Sequence, residues 1–160
     1  MNPLRALDRL IARVIAAGRW LVLPVVALLF LQWPLRDLVH GYSREANDLG
    51  QWLFALFVAV AVTAATRAEA HLSADSFARR YAPELRHRIG RAGMAFVLVP
   101  WAAFVLFAIW PTVASSVGAL ESFPDTGNPG YFIVKSAAAL LALLVLAQAA
   151  ITASGADRDR

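Results

Sequence analysis

The sequence predicts an all-α integral membrane protein, a four-helix bundle with both termini on the cytoplasmic side. Four long stretches carry no charge: 16 residues between Arg19 and Arg36, 18 between Asp48 and Arg67, 29 between Arg91 and Glu121, and 21 between Lys135 and Asp157. A helix rises 1.5 Å per residue, so about 20 mostly apolar residues cross a hydrocarbon core of roughly 30 Å. The basic residues between these stretches alternate between dense and sparse. The composition agrees, with 59% hydrophobic and 16% charged residues in a chain of 160 and a mean hydropathy of +0.58, too apolar for a soluble domain.

The alternation sets the orientation. Of the 15 Lys and Arg, twelve lie in the segment up to Arg19, in the loop from Arg67 to Arg91 and in the tail. The other three are Arg36, Arg44 and Lys135. Short loops rich in Lys and Arg stay in the cytoplasm, so the loops near 36–48 and 121–131 are expected to face outward. The net charge of +4 thus serves topology, and no nucleic-acid partner is expected. The first apolar run has the basic lead-in of a signal peptide, but no small-x-small cleavage site follows Trp33, and it reads as an uncleaved signal anchor.

One membrane domain is expected over 1–156, with a short charged tail at 157–160. Residues 2–18 form an amphipathic helix: at 100° per residue, Arg5, Arg9 and Arg13 fall within an arc of about 80°, opposite Leu4, Leu7, Leu10, Ile11, Val14 and Ile15. Such a helix suits the membrane interface beside anionic lipid; the alternative is a first span that begins early. The spans are expected at about 18–35, 49–66, 92–112 and 131–152. Pro24 lies inside the first, and Trp33-Pro34 closes it. In the basic loop, Ser73 caps a short helix to Tyr81, with Asp75 and Arg79 at i,i+4, and Pro83 starts the next helix. Pro100 should kink the third span, and Trp110 marks its outer interface. The stretch Glu121–Gly130 is turn chemistry throughout. Trp-Pro pairs 77 residues apart hint at a repeated hairpin.

The spans contain no ionisable residue in their interiors, where such groups are costly and kept for function. Gln32, Gln51 and Gln148 suit hydrogen bonds between helices. No nucleophile with a base, no phosphate loop and no metal-ligand spacing is present, His71 and His87 reading as solvated. No cofactor, metal or catalytic residue is expected, and the chain is not read as an enzyme. Lys135 is expected to snorkel to the outer interface, the alternative being a pair with a carboxylate such as Asp125. It stands with Arg5, Arg9, Arg13 and Trp52 among candidate contacts to a partner or to lipid.

Several residues together resemble a known family. An acidic residue precedes an aromatic at span 2 (Asp48, then Gln51-Trp52-Leu53-Phe54), and His71 and Asp75 form a His-x-x-x-Asp just after it. Asn128-Pro129 precedes the last span, which holds Lys135 and Gln148. Over roughly Leu4 to Ile151 the chain resembles the small membrane subunit, DctQ-type, of tripartite ATP-independent periplasmic (TRAP) transporters. The stretch Glu121 to Lys135 looks closest to the branch named for mannitol or chloroaromatic compounds. Ser73 stands where the family often has a basic residue. The resemblance implies a non-catalytic small permease subunit in the bacterial inner membrane. Its system would import a small organic acid, driven by the sodium gradient. The partners implied are a large multi-span elevator subunit, which the chain would scaffold, and a periplasmic substrate-binding protein. By that analogy the docking contacts for the binding protein fall on Arg36, Asp37, Arg44, Glu45, Glu121 and Asp125. The competing reading is a self-contained, homo-oligomeric small transporter.

Overall fold

A computed structural model of the chain describes residues 3–39, 41, 43–68 and 81–155. All regular structure among them is helical. Helix α1 (Pro3–Gly18) runs through a 3-10 turn (Arg19–Leu21) into α2 (Val22–Val39), and α3 follows (Arg44–Arg67). Helix α4 (Pro83–Gly93) passes through a π-helical turn (Met94–Leu98) into α5 (Val99–Gly118), and α6 (Tyr131–Ser154) closes the chain. The expected short helix from Ser73 to Tyr81 lies outside the described residues except for Tyr81 itself, as do its Asp75–Arg79 pair and His71. Among the described residues four helices are long and apolar enough to cross a membrane, spanning Pro3–Leu38, Arg44–Arg67, Glu84–Gly118 and Tyr131–Ser154. A 36-residue interrupted helix is followed by one of 24, and then 35 by 24, so one order of elements occurs twice.

Proline explains both irregular turns. Pro24 has no N–H for the carbonyl of Trp20, and the 3-10 turn Arg19–Leu21 sits there. Pro100 likewise deprives the carbonyl of Phe96, the middle of the π turn, where the Val99 N–H reaches Met94 O instead. Each turn re-satisfies part of a ladder broken by a missing donor. Pro34 and Pro111 do not end their helices: α2 continues to Val39 and α5 to Gly118, a tolerance usual for prolines in apolar helices. Helix α4 starts at Pro83, with Glu84 in its first turn, as the sequence suggested. The backbone at Gly18 and Val22 stays in the right-handed helical region, so α1 leads into α2 without a loop.

The four long helices stand in a row rather than closing on one another. Helices α3 and α6 form its centre; α2 packs on α3, and α5 packs on α6. No comparable contact joins α2 to α5. Helix α6 is the most enclosed, burying Ala137, Ala139, Ala142, Leu144, Val145, Gln148, Ala149 and Ile151. Its alanines let the neighbouring backbones approach, the usual means of packing helices that gain nothing by leaving lipid. The end helices remain open. Among the described side chains of α2 only Val25 is a buried apolar residue, and α5 with the π turn before it exposes Phe96, Trp101, Phe104, Phe107 and Trp110.

Helix α1 packs on α3 and α6. Ile11 is 1% exposed, and Gly18 lies so close to α3 that a Cβ there would sit 2.6 Å from a Val60 methyl. Protein therefore covers part of the aliphatic face of α1, while Arg5, Arg9 and Arg13 stay exposed.

Candidate functional site

Polar contacts gather at the two ends of the row, and the long apolar middle separates them. At the end carrying the chain termini, Arg67 of α3 reaches across to α1 and α6. Its Nη1 lies 3.1 Å from an Asp8 carboxylate oxygen and donates to Gln148 Oε1 at 3.3 Å. Gln148, 3% exposed, passes its own N–H to Thr152 Oγ1 at 3.3 Å. Arg91 donates from Nε and Nη2 to the Ala153 carbonyl, at 3.3 and 3.0 Å. A cation there satisfies a terminal carbonyl and meets the negative end of the α6 dipole.

At the other end, residues 119–130 form a braced loop. Helix α5 closes in a Schellman arrangement: Glu121 N–H donates to Ser116 O and Leu120 N–H to Val117 O, with Leu120 at φ +46° where glycine is usual. The loop folds back on itself through Phe123 N–H to Asn128 O and Gly127 N–H to Phe123 O, both 2.8 Å, and Ser122 pairs with Pro129. Phe123, 4% exposed, plugs the loop onto the bundle and meets the Tyr131 ring edge-on at 5.3 Å.

Helix α3 holds this loop from the side. Ser43 caps α3 by accepting the Ala46 N–H at 3.1 Å, and one turn on, Asp48 is 5% exposed. Its Oδ2 accepts Thr126 Oγ1–H at 2.7 Å and Asn128 Nδ2–H at 2.9 Å. A further turn along, Trp52 lies against Gly130: a Cβ there would fall 2.0 Å from the indole, and φ of +121° also demands glycine. The Trp52 N–H is buried without a hydrogen-bond partner.

Lys135 pairs with a carboxylate, and that carboxylate belongs to Glu121 rather than Asp125. The Lys135 Nζ sits 2.8 and 2.6 Å from the two Glu121 oxygens and 5.1 Å from the Tyr131 ring centroid. Ser116 Oγ also donates to Glu121. The Lys135 ammonium first, then the Ser116 hydroxyl, hold the Glu121 carboxyl below its ordinary pKa. The pair forms because Glu121 follows directly on the α5 cap and faces the first turn of α6, whereas Asp125 lies at the exposed loop tip.

The remaining sequence-derived docking residues are dispersed. Arg36 Nε bonds its neighbour Asp37 at 2.8 Å, both exposed. Arg44 and Glu45 are exposed in the first turn of α3, and Glu45 accepts the Ser43 hydroxyl at 3.1 Å. Sequence reasoning missed three groups: Asp8 as the partner of Arg67, Ser116, and Asp48 with Thr126 as the loop brace. Asp48 and Asn128 had already been singled out in the family resemblance, and here they meet.

Chemically, these clusters brace and cap. Among the described residues no group of His, Asp and Glu is placed to hold a metal. A cavity of about 490 Å³ beside α5 is lined by Ala103, Leu106, Phe107, Trp110, Pro111 and Leu146; it offers no charge to orient a polar substrate.

Residues 9–158 match the family described as Tripartite ATP-independent periplasmic transporters, DctQ component. No curated protein and no solved structure matches the chain. With four membrane-capable helices, braced ends and an uncharged middle, the chain belongs to the DctQ component family of TRAP transporters, as their small permease subunit.

Proposed function

We propose that the chain is a fixed, non-catalytic scaffold. It widens the stationary part of a large elevator-type subunit and offers an outer surface to a periplasmic substrate-binding protein. The transporter imports a small organic acid and is driven by the sodium gradient. The observation that carries this reading is the placement of charge: all described ionic contacts lie at the two ends of the row, and the crossing segments hold no group to carry an ion or a substrate. The open row supports it further. Helices α2 and α5 expose broad apolar faces that suit a second membrane protein as well as lipid.

Orientation follows the basic residues, with both termini cytoplasmic in a bacterial inner membrane and the loop 119–130 outside. The exposed Arg5, Arg9 and Arg13 of α1 then meet anionic head groups.

Affinity capture of the chain from detergent-solubilised native membranes, followed by mass spectrometry, tests the reading. A large multi-span protein recovered in near-equal amount is the expected outcome. Recovery of this chain alone, as a defined oligomer, would overturn the scaffold role in favour of a self-contained transporter. Reporter fusions at residue 125 and at the C-terminus test the orientation; an outward C-terminus would overturn it.

A further inference from the structure

Helix α4 buries none of its described residues. Apart from its own continuation into α5, it packs mainly on the end of α6. Arg91 makes that joint, through its two hydrogen bonds of 3.3 and 3.0 Å to the Ala153 carbonyl, and among the described side chains of α4 only Arg91 is not exposed. The joint fixes how α4 is turned about its axis. At 100° per residue, the stripe of Leu85 and Ile89 lies about 140° around the helix from Arg91. With Arg91 facing α6, the stripe faces away from the protein, and both residues are indeed exposed. Arg86 and Arg88, also exposed, fall about 60° to either side of the stripe.

The same joint fixes the depth. Arg91 stands level with Ala153, next to the last residue of α6, and the uncharged stretch of the third span begins directly after Arg91. Counting back at 1.5 Å per residue, Ile89, Arg88 and Leu85 stand about 3, 5 and 9 Å farther out. Head groups widen a bilayer from roughly 30 Å to 40–45 Å, so this part of α4 lies at their depth. The stripe runs on toward the exposed Phe96 and Val97 of the π turn, which face the hydrocarbon. An apolar stripe flanked by arginines, entering a membrane at headgroup level, matches the chemistry of an anionic lipid: acyl chain against Leu85 and Ile89, phosphate against the guanidinium groups. The charge is complementary too, since α4 holds three arginines and a single glutamate, Glu84 in its first turn.

We propose that α4 is a binding site for an acidic phospholipid, with Arg86 and Arg88 holding the headgroup phosphate and Leu85 and Ile89 seated at the acyl boundary. The orientation given above makes this leaflet cytoplasmic, where anionic lipids gather. The site is separate from the arginines of α1 and does not depend on the scaffold or docking roles.

The test reads α4 itself, in the full chain with any subunit that co-purifies, in lipid nanodiscs. The sequence has no cysteine, so Ile89→Cys takes a single bimane fluorophore. Quenching by doxyl-labelled phosphatidylglycerol is compared with quenching by doxyl-labelled phosphatidylcholine. Phosphatidylglycerol is expected to quench at the lower mole fraction. Arg86→Gln and Arg88→Gln should each reduce this preference by about fivefold, with the midpoint of thermal unfolding unchanged. Ala92→Cys, on the same face, should show the same order. Equal quenching by the two lipids, or a preference that survives both Gln changes, would overturn the proposal. A label that neither lipid quenches would place α4 in water or under another protein, and would overturn it as well. If inorganic phosphate, at matched ionic strength, abolished the preference, the site would take free phosphate and the lipid assignment would fall. These readouts do not depend on which side the termini occupy, so the reporter fusions test orientation separately.

Discussion

Asp48→Ala removes the acceptor that ties the loop 119–130 to α3. Two hydrogen bonds end on one Asp48 oxygen, from Thr126 at 2.7 Å and Asn128 at 2.9 Å, and the side chain is nearly buried, at 5% exposure. A hydrogen bond to a charged group contributes about 1.5–3 kcal/mol. Thr126 and Asn128 are only half-buried, so water replaces part of what they lose, and the two bonds together are worth about 2–3 kcal/mol. At 1.36 kcal/mol per factor of ten, loop opening rises by about 30- to 150-fold. Hydrogen exchange in nanodiscs reads this at the Gly127 and Phe123 amides, which the loop's own bonds protect. Asp48→Asn keeps an oxygen able to accept both bonds but loses the negative charge that strengthens them, and falls between, at about tenfold. Exchange at Gly127 within threefold of wild type would refute the bracing argument. An equal rise at Leu144, deep in α6, would show global unfolding instead of loop release.

Gly18→Ala places a methyl 2.6 Å from Val60 and costs about 1–3 kcal/mol by overpacking, read as a lower midpoint of unfolding in detergent; Val60→Ala in the same chain restores most of it. A double-mutant cycle of Asp8→Ala and Arg67→Ala yields a coupling of about 1 kcal/mol, since the pair at 3.1 Å is mostly shielded and joins α1 to α3. A coupling of zero would mean that α1 is held by packing at Ile11 and Gly18 alone. The Glu121–Lys135 pair depends on pH. Glu121 titrates below its ordinary value in the folded protein, so its stabilisation is complete above the unfolded carboxyl pKa of about 4.3 and is lost as pH falls through the lower folded value. Protection of the Glu121 and Phe132 amides, both bonded within this corner, should therefore fall in that acidic window, and Glu121→Gln should abolish the pH dependence.

Proline positions show how far local reading reaches. A π turn centred four residues before Pro100 marks the irregularity that the proline causes, because the missing donor is a property of the residue itself. Trp33-Pro34 and Trp110-Pro111 were read as closing their membrane spans, and both helices continue past these prolines. Whether a proline stops a helix depends on what surrounds the freed carbonyl. Lys135 illustrates a different limit. Its charge and place in the first turn of α6 were evident, but Glu121 and Asp125 lie at similar separations in the chain. Only the Schellman cap of α5, which turns Glu121 toward α6, separates the two.

Four apolar lengths, the alternation of basic residues and the family motifs are all readable along the chain, because crossing a bilayer and orienting in it depend on short windows of hydropathy and charge. The row of α2, α3, α6 and α5, the docking of α1, and the bonds from Asp48 to Thr126 and Asn128, 78 and 80 residues away, belong to the tertiary structure. An apolar side chain facing lipid and one facing a neighbouring helix gain nearly the same transfer energy, so hydropathy does not tell them apart. The arrangement was decided instead by which small residues, such as Gly18 and the alanines of α6, allow close backbone approach, and by which polar groups at the helix ends find one another.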